Sequence, residues 1–308
     1  MELRHLRYFI AVAEEGHITR AAERLGMQQP PLSQQIKAIE RELDVQLFRR
    51  KPRGVELTDA GQALFDDARA ILTQLTHAFE TTRRTARGEQ GRITVGIAST
   101  AHFHPLVPRV IRMFRETFPR VSLTLEEGAT GDLMERVRSE HVDVAFIRKP
   151  FANSAGLVIN SLLEEAMLVA LPSDHALARA GKDDGALTLN ALSSETFILY
   201  RRPDSPGLTD VVIAACHATG FNPQLCQDAP RPASALNFVA AGLGITIVPA
   251  SLQRMHLDGV AYRRLKGSTQ PKAPLNLISR RGDPSAVLRQ FQNLVRRAAK
   301  NLIADDGR

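Results

Sequence analysis

Residues 28–43 read QQPPLSQQIKAIEREL, and this stretch decides the first part of the fold. Adjacent prolines are tolerated in the first turn of a helix, where backbone amides lack partners anyway, but not in its interior. Apolar side chains then recur at helical spacing, at Leu32, Ile36, Ile39 and Leu43. The stretch is therefore predicted to be a helix that packs inward along this stripe and turns Ser33, Gln34 and Lys37 outward.

The residues before this helix predict a partner for it. Apolar residues at helical spacing run from Leu3 to Gly16, which is expected to end a first helix. A second helix, predicted to be capped by Thr19, ends at Gly26. Two helices joined by a tight turn, the second with a polar outer face, are typical of the helix-turn-helix, a DNA-binding motif.

The residues after it predict a hairpin and a long helix. Pro52 and Gly54 mark a turn between two short extended stretches, and four of the five residues 49–53 are basic. Thr58 is expected to cap a helix that reaches about Arg87. A heptad-like seam follows this helix, at Leu64, Ala68, Ile71, Leu75, Ala78 and Thr82. We expect the seam to pair two subunits, the alternative being a helix packed within its own chain.

From Arg92 the pattern changes to strands that alternate with helices, which predicts an α/β fold with a mostly parallel sheet. The predicted strands cover residues 93–97, 121–125, 142–147, 167–171, 197–200, 244–248 and 275–279. The predicted helices cover residues 105–118, 132–140 and 286–303.

Composition fits a globular protein of about two domains. Hydrophobic residues make up 44% and charged residues 24% of the 308, and the net charge is +7. Residues 1–90 hold 14 Lys or Arg against 13 Asp or Glu, so DNA binding follows from local placement and not from bulk charge. No membrane span or secretory signal is recognisable. Cys216 and Cys226 are expected to be buried thiols in a reducing cytoplasm.

Together these motifs resemble one known family. Residues 1–65 resemble the winged helix-turn-helix of LysR-type transcriptional regulators, and among these the regulators of aromatic catabolism look nearest. The resemblance rests on residues 6–9, 21–25, 29–36 and 57–61, together with Leu43, Leu47 and Phe48. Residues 171–175 and 239–249 look like the family's sensor signatures.

The resemblance implies an architecture. We expect an α/β protein with an N-terminal all-α winged helix-turn-helix at 1–58, a long linker helix at 59–90 and an effector-binding domain at 91–308. The sensor is expected to have two lobes, like periplasmic solute-binding proteins. Lobe I would cover about 91–164 plus 268–303, and lobe II about 165–267.

The predicted DNA contacts lie on the second helix of the motif and on the hairpin, or wing. Glutamine suits adenine, lysine suits phosphate or guanine, and wing cations suit the backbone or minor groove. The predicted set is Gln28, Gln29, Pro30, Pro31, Ser33, Gln34, Lys37, Arg50 and Arg53. Many family members have Ser at position 28 and Arg at position 34, and losing a cation at 34 should weaken phosphate or guanine contact.

The predicted effector site lies beyond the ends of strands, where α/β sheets hold ligands. The resemblance assigns effector contact to Ser99, Thr100 and Thr130, the last placed just before a helix starting at Asp132. Arginines after strand ends favour an anionic effector such as an aromatic or dicarboxylic acid, although a salt bridge is the alternative for each. The full predicted set is Ser99, Thr100, His102, Thr130, Arg148, Arg201, Arg202 and Ile245.

Other functions fit the sequence less well. A solute-binding transport protein would lack the DNA-reading unit, and motifs of hydrolases, nucleotide-binding enzymes and metalloproteases are missing. His102 and His104 have no further ligand at diagnostic spacing, so neither a metal nor a cofactor is expected. The expected partners are promoter DNA, a small effector and further copies of the chain, as a dimer through the linker helix and by resemblance a tetramer. RNA polymerase is a candidate partner.

Overall fold

A computed structural model of the chain describes residues 1–148, 156–179, 186–200, 207–229 and 231–306. The chain divides into two compact units, residues 1–84 and residues 85–308. Among the described helices, none combines the length and apolarity that crossing a membrane requires.

The first unit contains three short helices, a hairpin and a long helix. These are α1 (Leu3–Glu15), α2 (Ile18–Arg24), α3 (Gln29–Leu43), β1 (Phe48–Lys51), β2 (Gly54–Leu57) and α4 (Asp59–Arg87). Helices α1 to α3 bury one core, which includes Phe9, Val12 and Leu32. The helix-turn-helix and the wing hairpin predicted from sequence are therefore present.

Two details of this unit differ from the prediction. Helix α2 is capped not by Thr19 but by His17, whose Nδ1 accepts a hydrogen bond from the Thr19 amide at 3.2 Å. The apolar stripe of α3 ends at Ile39, because Leu43 lies in the last turn and is 39% exposed. Thr58 does cap α4: its Oγ1 accepts from the Gly61 amide at 3.0 Å.

Helix α4 is 29 residues long, yet it buries little of its apolar surface. Only Gly61 and Ala68 are buried along it, and Ile71 and Phe79 are 45% and 55% exposed. The seam predicted from sequence is thus uncovered beyond Ala68 in the described part of this single chain.

The second unit contains the remaining elements. These are β3 (Gln90–Ala98), α5 (Leu106–Thr117), β4 (Arg120–Gly128), α6 (Thr130–Arg138), β5 (Val144–Ile147), β6 (Leu157–Pro172), α7 (Ala176–Arg179), β7 (Leu187–Thr188), β8 (Thr196–Tyr200), α8 (Leu208–Ala218), β9 (Gln224–Ala229), α9 (Pro232–Ala240), β10 (Thr246–Pro249), β11 (Val260–Lys266), β12 (Lys272–Arg280) and α10 (Ala286–Asp306).

The large sheet is mixed, and the expectation of a mostly parallel sheet is wrong. Its strand order is β4-β3-β5-β12-β6-β11-β7, with β10 also paired to β6. Strand β3 runs parallel to β4 and β5, but β12 runs antiparallel to β5 and β6, and β6 runs antiparallel to β10 and β11. Strands β8 and β9 form a separate parallel pair.

Strand β6 joins two hydrophobic cores. Its first half contributes Leu157 and Leu162 to a core with Phe114 and Phe291, here called the first core. Its second half contributes Met167 to a second core that contains Phe197. The sequence predicted only residues 167–171 of this 16-residue strand, because the first half carries Asn160, Ser161, Glu164 and Glu165 and lacks a continuous apolar run.

The two cysteines differ in environment. Cys216 is buried in α8, and burial raises the pKa of its thiol to about 11, so the thiol stays protonated at neutral pH. Cys226 is exposed, so the expectation that both are buried is wrong. It lies on β9, which pairs with β8 alone among the described strands and turns residues 224–226 to solvent.

Candidate functional site

The outer face of α3 is a polar surface that makes few contacts within the chain. Gln29, Pro30, Gln34 and Lys37 are exposed, and Ser33 is half-buried beside them. Spacings of three and four residues place these side chains on one face of the helix. Within the described residues, no side chain of this face is hydrogen-bonded or ion-paired. The face therefore offers its donors and acceptors to an outside partner, as does Gln28 at the N-cap, and the exposed Pro31 offers an apolar surface beside them.

The wing carries two kinds of cation. Arg49 and Lys51 both pair with Glu56 on the facing strand, with 2.9 Å between Arg49 Nε and Glu56 Oε2, and they hold the pKa of Glu56 below its usual value. Arg50 points to the other side of β1. Arg50 and Arg53 are exposed and have no ion-pair partner in the described part of the chain. Of the four wing cations, Arg50 and Arg53 are thus the two whose charge is not neutralised by an ion pair within the described residues.

A backbone contact fixes the wing against the turn between α1 and α2. The Val55 amide donates to the Gly16 carbonyl at 2.8 Å. A Cβ on Gly54, whose φ is +140°, would stand 2.1 Å from the same oxygen. Only glycine allows this approach.

The hydroxyls predicted to contact an effector meet at one edge of the large sheet. Thr100 follows β3, Thr130 begins α6 directly after β4, and Arg148 follows β5. Because β3 runs parallel to β4 and β5, these three strand ends share an edge. Thr100 and Thr130 are 5% and 8% exposed, and neither hydroxyl has a hydrogen-bond partner among the residues the structure describes. Ser99 beside them is half-buried.

Helix α6 begins two residues earlier than predicted. Ala129 is its N-cap and Thr130 its first residue, so Thr130 lies inside the helix and not before it. The chain turns directly from Gly128 into the helix, and the Leu133 amide bonds to the Ala129 carbonyl at 2.9 Å. Thr130 remains at a helix N-terminus, where backbone amides favour an anion.

Arg148 is not the open guanidinium that the sequence suggested. It is 2% exposed, and its Nη2 lies 2.5 Å from Glu165 Oε2 while Nη1 donates to the Ala273 carbonyl at 3.2 Å. The second oxygen of Glu165 accepts from the Ser251 amide. Arg148 Nε is buried without a partner. The salt-bridge alternative therefore describes most of this side chain, and Nε is its one nitrogen without a partner in the described residues.

Further buried polar atoms without partners lie on and beside β8, β10 and β11. The hydroxyls of Tyr200, Thr246, Ser251 and Tyr262 have no hydrogen bond within the described residues. Burial raises the pKa of Tyr200, the nearby Arg148 lowers it and Glu165 raises it again, so the phenol is neutral. Buried polar groups normally find partners, so these atoms indicate a site for water or a ligand. Sequence reasoning missed them, because no local pattern marks a Tyr, Thr or Ser hydroxyl as buried without a partner.

His102 and Ile245 also belong to the predicted effector set, and they differ in how far they are buried. His102 is half-buried, lies with its ring centroid 4.1 Å from that of Phe103, and has its pKa lowered by burial, against a smaller opposite effect of Glu127. Phe103 packs against a cluster that contains Leu236, so the loop after β3 lies beside α9. Ile245 is 1% exposed and packs in the second core, so it is a packing residue rather than a ligand contact.

Two predicted positions and one excluded site complete the comparison with the sequence. Arg201 and Arg202 lie outside the described residues. Over the described ranges, no three His, Cys, Asp or Glu side chains come close enough together to hold a metal ion.

Known proteins resemble this chain over nearly its whole length. Residues 3–62 match the family described as bacterial regulatory helix-turn-helix protein, lysR family, and residues 86–300 match the LysR substrate binding domain. The HTH-type transcriptional regulator BudR of Raoultella terrigena is 36% identical over 291 residues, which cover 94% of this chain and 99% of BudR.

Solved structures give the same picture. Full-length CbnR in complex with its target DNA is 31% identical, with a TM-score of 0.83, and the match covers 97% of this chain and 100% of CbnR. The BenM effector-binding domain with its effector benzoate is 25% identical, with a TM-score of 0.61, over 70% of this chain and 94% of that domain.

Proposed function

This chain belongs to the LysR family of DNA-binding transcriptional regulators with an effector-binding domain, and on that premise we propose which residues bind DNA and what kind of effector it senses. The DNA contacts are the outer face of α3 from Gln28 to Lys37, with Arg50 and Arg53 of the wing. The effector is a small carboxylate held at the sheet edge where Thr100 and Thr130 meet.

The unpaired state of the α3 face and of the two wing arginines carries the DNA proposal. A recognition helix must exchange its contacts with water for contacts with base edges, so side chains without internal partners suit the role. Exposed arginines on the adjacent hairpin suit phosphate or the minor groove, where they position the protein. The CbnR complex shows that a relative of similar fold binds its target DNA.

The partnerless hydroxyls at the sheet edge carry the effector proposal. Thr100, Thr130 at the start of α6 and the Nε–H of Arg148 are hydrogen-bond donors around one edge. Donors without acceptors favour an anionic ligand, and a helix N-terminus adds to this preference. That BenM binds benzoate through a domain of similar fold supports an aromatic or dicarboxylic acid.

Subunits would pair through α4, whose exposed stripe includes Ile71 and Phe79. Two recognition helices could then occupy two half-sites of a near-palindrome. An effector changes DNA binding only if it binds one arrangement of the subunits better than another. RNA polymerase stays a candidate partner at the promoter.

The test measures both halves of the proposal on one purified protein. Fluorescence anisotropy with the DNA upstream of its own gene reports operator binding, and thermal unfolding with benzoate, succinate and a neutral amide reports effector binding. We expect binding to the upstream fragment and stabilisation by an acid that Thr130→Val weakens. No affinity for that fragment at low salt would refute the DNA half, and stabilisation by the amide alone would refute the carboxylate.

A further inference from the structure

A second polar pocket lies in the first lobe, between the ends of β6 and β12 and helix α10. Its cavity has a volume of about 180 Å³. Its polar lining includes Asn160, Ser279, Arg280, Asp283, Arg289, Gln292 and Arg296. None of these residues belongs to the proposed effector set, so the pocket needs its own explanation.

Three arginines line this pocket, but only one has its charge neutralised. Arg280 donates to the carbonyls of Val137 and Val142, both at 3.0 Å, and pairs with Asp283 at 2.5 Å. Asp283 is the only acidic residue among the described residues of the lining, and it is paired with Arg280, which Asp143 also approaches at 3.4 Å. Arg280 therefore links residues of the pocket wall to one another, and most of its hydrogen-bond donors are already used within the chain.

The other two arginines keep their charge. Arg289 uses one N–H for the Pro284 carbonyl at 2.7 Å, and Arg296 has no hydrogen bond or ion pair to any residue that the structure describes. Residues 286–304 of α10 contain no Asp or Glu, so the helix itself supplies no counter-charge. Two cations that share one concave site raise the local concentration of anions.

The placement of these donors is fixed by the helix and its neighbours. Arg289, Gln292 and Arg296 are spaced by three and four residues and so share one face of α10, with about 10 Å between the two arginine positions along the axis. Gln292 is held by a 2.8 Å hydrogen bond from its Nε2 to Ser279 Oγ. Asn160, half-buried on β6, adds an amide with no partner in the described ranges.

We propose that this pocket binds a small oxyanion, a phosphate or a short carboxylate, through Arg289, Arg296 and Asn160. Guanidinium groups grip phosphate and carboxylate with paired hydrogen bonds, and an amide can satisfy a further oxygen. The volume is below the 300–1,000 Å³ typical of pockets for larger ligands, which fits a compact ion. The site is separate from the effector site, so it goes beyond the proposed function.

The experiment titrates the full chain with inorganic phosphate at constant ionic strength, with chloride as the replaced ion, and follows thermal unfolding and heat of binding. Arg296→Gln removes one proposed ligand, and Arg289→Gln is a second variant at the same site. Arg297→Gln is the matched control, because Arg297 is the next residue of the same helix, equally exposed, and does not line the pocket.

We expect phosphate to stabilise the wild type and Arg297→Gln alike, and to bind at least about tenfold more weakly to Arg296→Gln, since a charge-assisted contact is lost. Equal stabilisation of all the variants would mean a general salt effect and would overturn the proposal, as would the absence of any response. Acetate in place of phosphate tells which oxyanion the pocket prefers. Benzoate stabilisation that survives Arg296→Gln but not Thr130→Val belongs to the effector site, so the two proposals fail separately.

Discussion

Gly54 of the wing lies so close to Gly16 that a Cβ on Gly54 would stand 2.1 Å from the Gly16 carbonyl oxygen. The same oxygen accepts the Val55 amide at 2.8 Å, so one backbone position sets where the wing lies relative to α1 and α2. The wing arginines Arg50 and Arg53 lie just before this contact in sequence, and Arg50 pairs with Val55 in the hairpin. Their reach toward DNA therefore depends on a glycine that bears no charge.

We expect Gly54→Ala to lower the free energy of unfolding by about 1–3 kcal/mol and to weaken operator binding, because the wing must move to admit the methyl group. Urea unfolding and fluorescence anisotropy measure the two effects. Gly26→Ala is the control: Gly26 also has a positive φ, but its Cβ would enter open space. DNA affinity reduced no more by Gly54→Ala than by Gly26→Ala would contradict the role of the contact.

The wing's unpaired and paired cations should differ in their response to salt. Each phosphate contact contributes about 0.9 to the slope of log affinity against log salt. We expect Arg50→Gln to flatten this slope by about one phosphate contact, and Lys51→Gln to change it less, because Glu56 already pairs with Lys51. Operator affinity measured from low to high salt gives both slopes. Identical slopes for the two variants would count against a direct contact by Arg50.

Breaking the Arg148–Glu165 pair should lower the free energy of unfolding far more than breaking the neighbouring Glu164–Lys272 pair. Both partners are nearly buried, so Glu165→Gln leaves an uncompensated charge inside the protein and should cost about 3–5 kcal/mol. Glu164→Gln is the control, because Glu164 pairs with Lys272 at 3.1 Å, both side chains are 59% exposed, and losing the pair should cost less than about 1 kcal/mol. Urea unfolding of the two variants tests the contrast, which equal losses would remove.

How much could be predicted depended on how local each signal is. The helix-turn-helix and the wing were confirmed because Gly16, Pro30 and Gly54 determine turns within a few residues of themselves. The pairing of Arg148 with Glu165 could not be read in this way, because it depends on where β6 passes the end of β5 across the intervening β12. The antiparallel pairing of β12 was missed for the same reason.

Helix ends show a finer version of this limit. Thr19 is of a residue type preferred at helix N-caps and His17 is not, yet α2 begins at Ile18 with His17 as its N-cap, so residue type alone did not locate the cap. The proposed effector site was predicted only in part. Thr100 and Thr130 were found because they follow the ends of predicted strands. The hydroxyls of Tyr200 and Thr246 could not be found in this way, because their lack of hydrogen-bond partners is visible only in the packed structure.

The exposed stripe of α4 predicts that the chain associates through it. Ile71→Glu places a charge in the stripe and should shift the protein toward the monomer in light scattering, because an apolar seam tolerates no unpaired charge. Thr73→Glu is the control, since two residues along the helix is about half a turn away and Thr73 faces the opposite side. An unchanged molar mass for Ile71→Glu would show that subunits meet elsewhere.

Acid should destabilise the loop after β3 through His102. Burial holds the pKa of this ring below its ordinary 6.5, with Glu127 opposing in part, so the folded state takes up the proton less readily than the unfolded chain. Well above pH 6.5 the ring is neutral in both states and contributes nothing to pH dependence. As the pH falls below 6.5, the unfolded chain is protonated first, and the free energy of unfolding decreases until the folded ring is protonated too.

His102→Gln removes this effect, so the stability of the wild type relative to the variant should fall between pH 7.5 and pH 5. Urea unfolding at a series of pH values measures that difference, and a difference that stays constant or grows toward acid would mean that the ring is not held neutral by its surroundings.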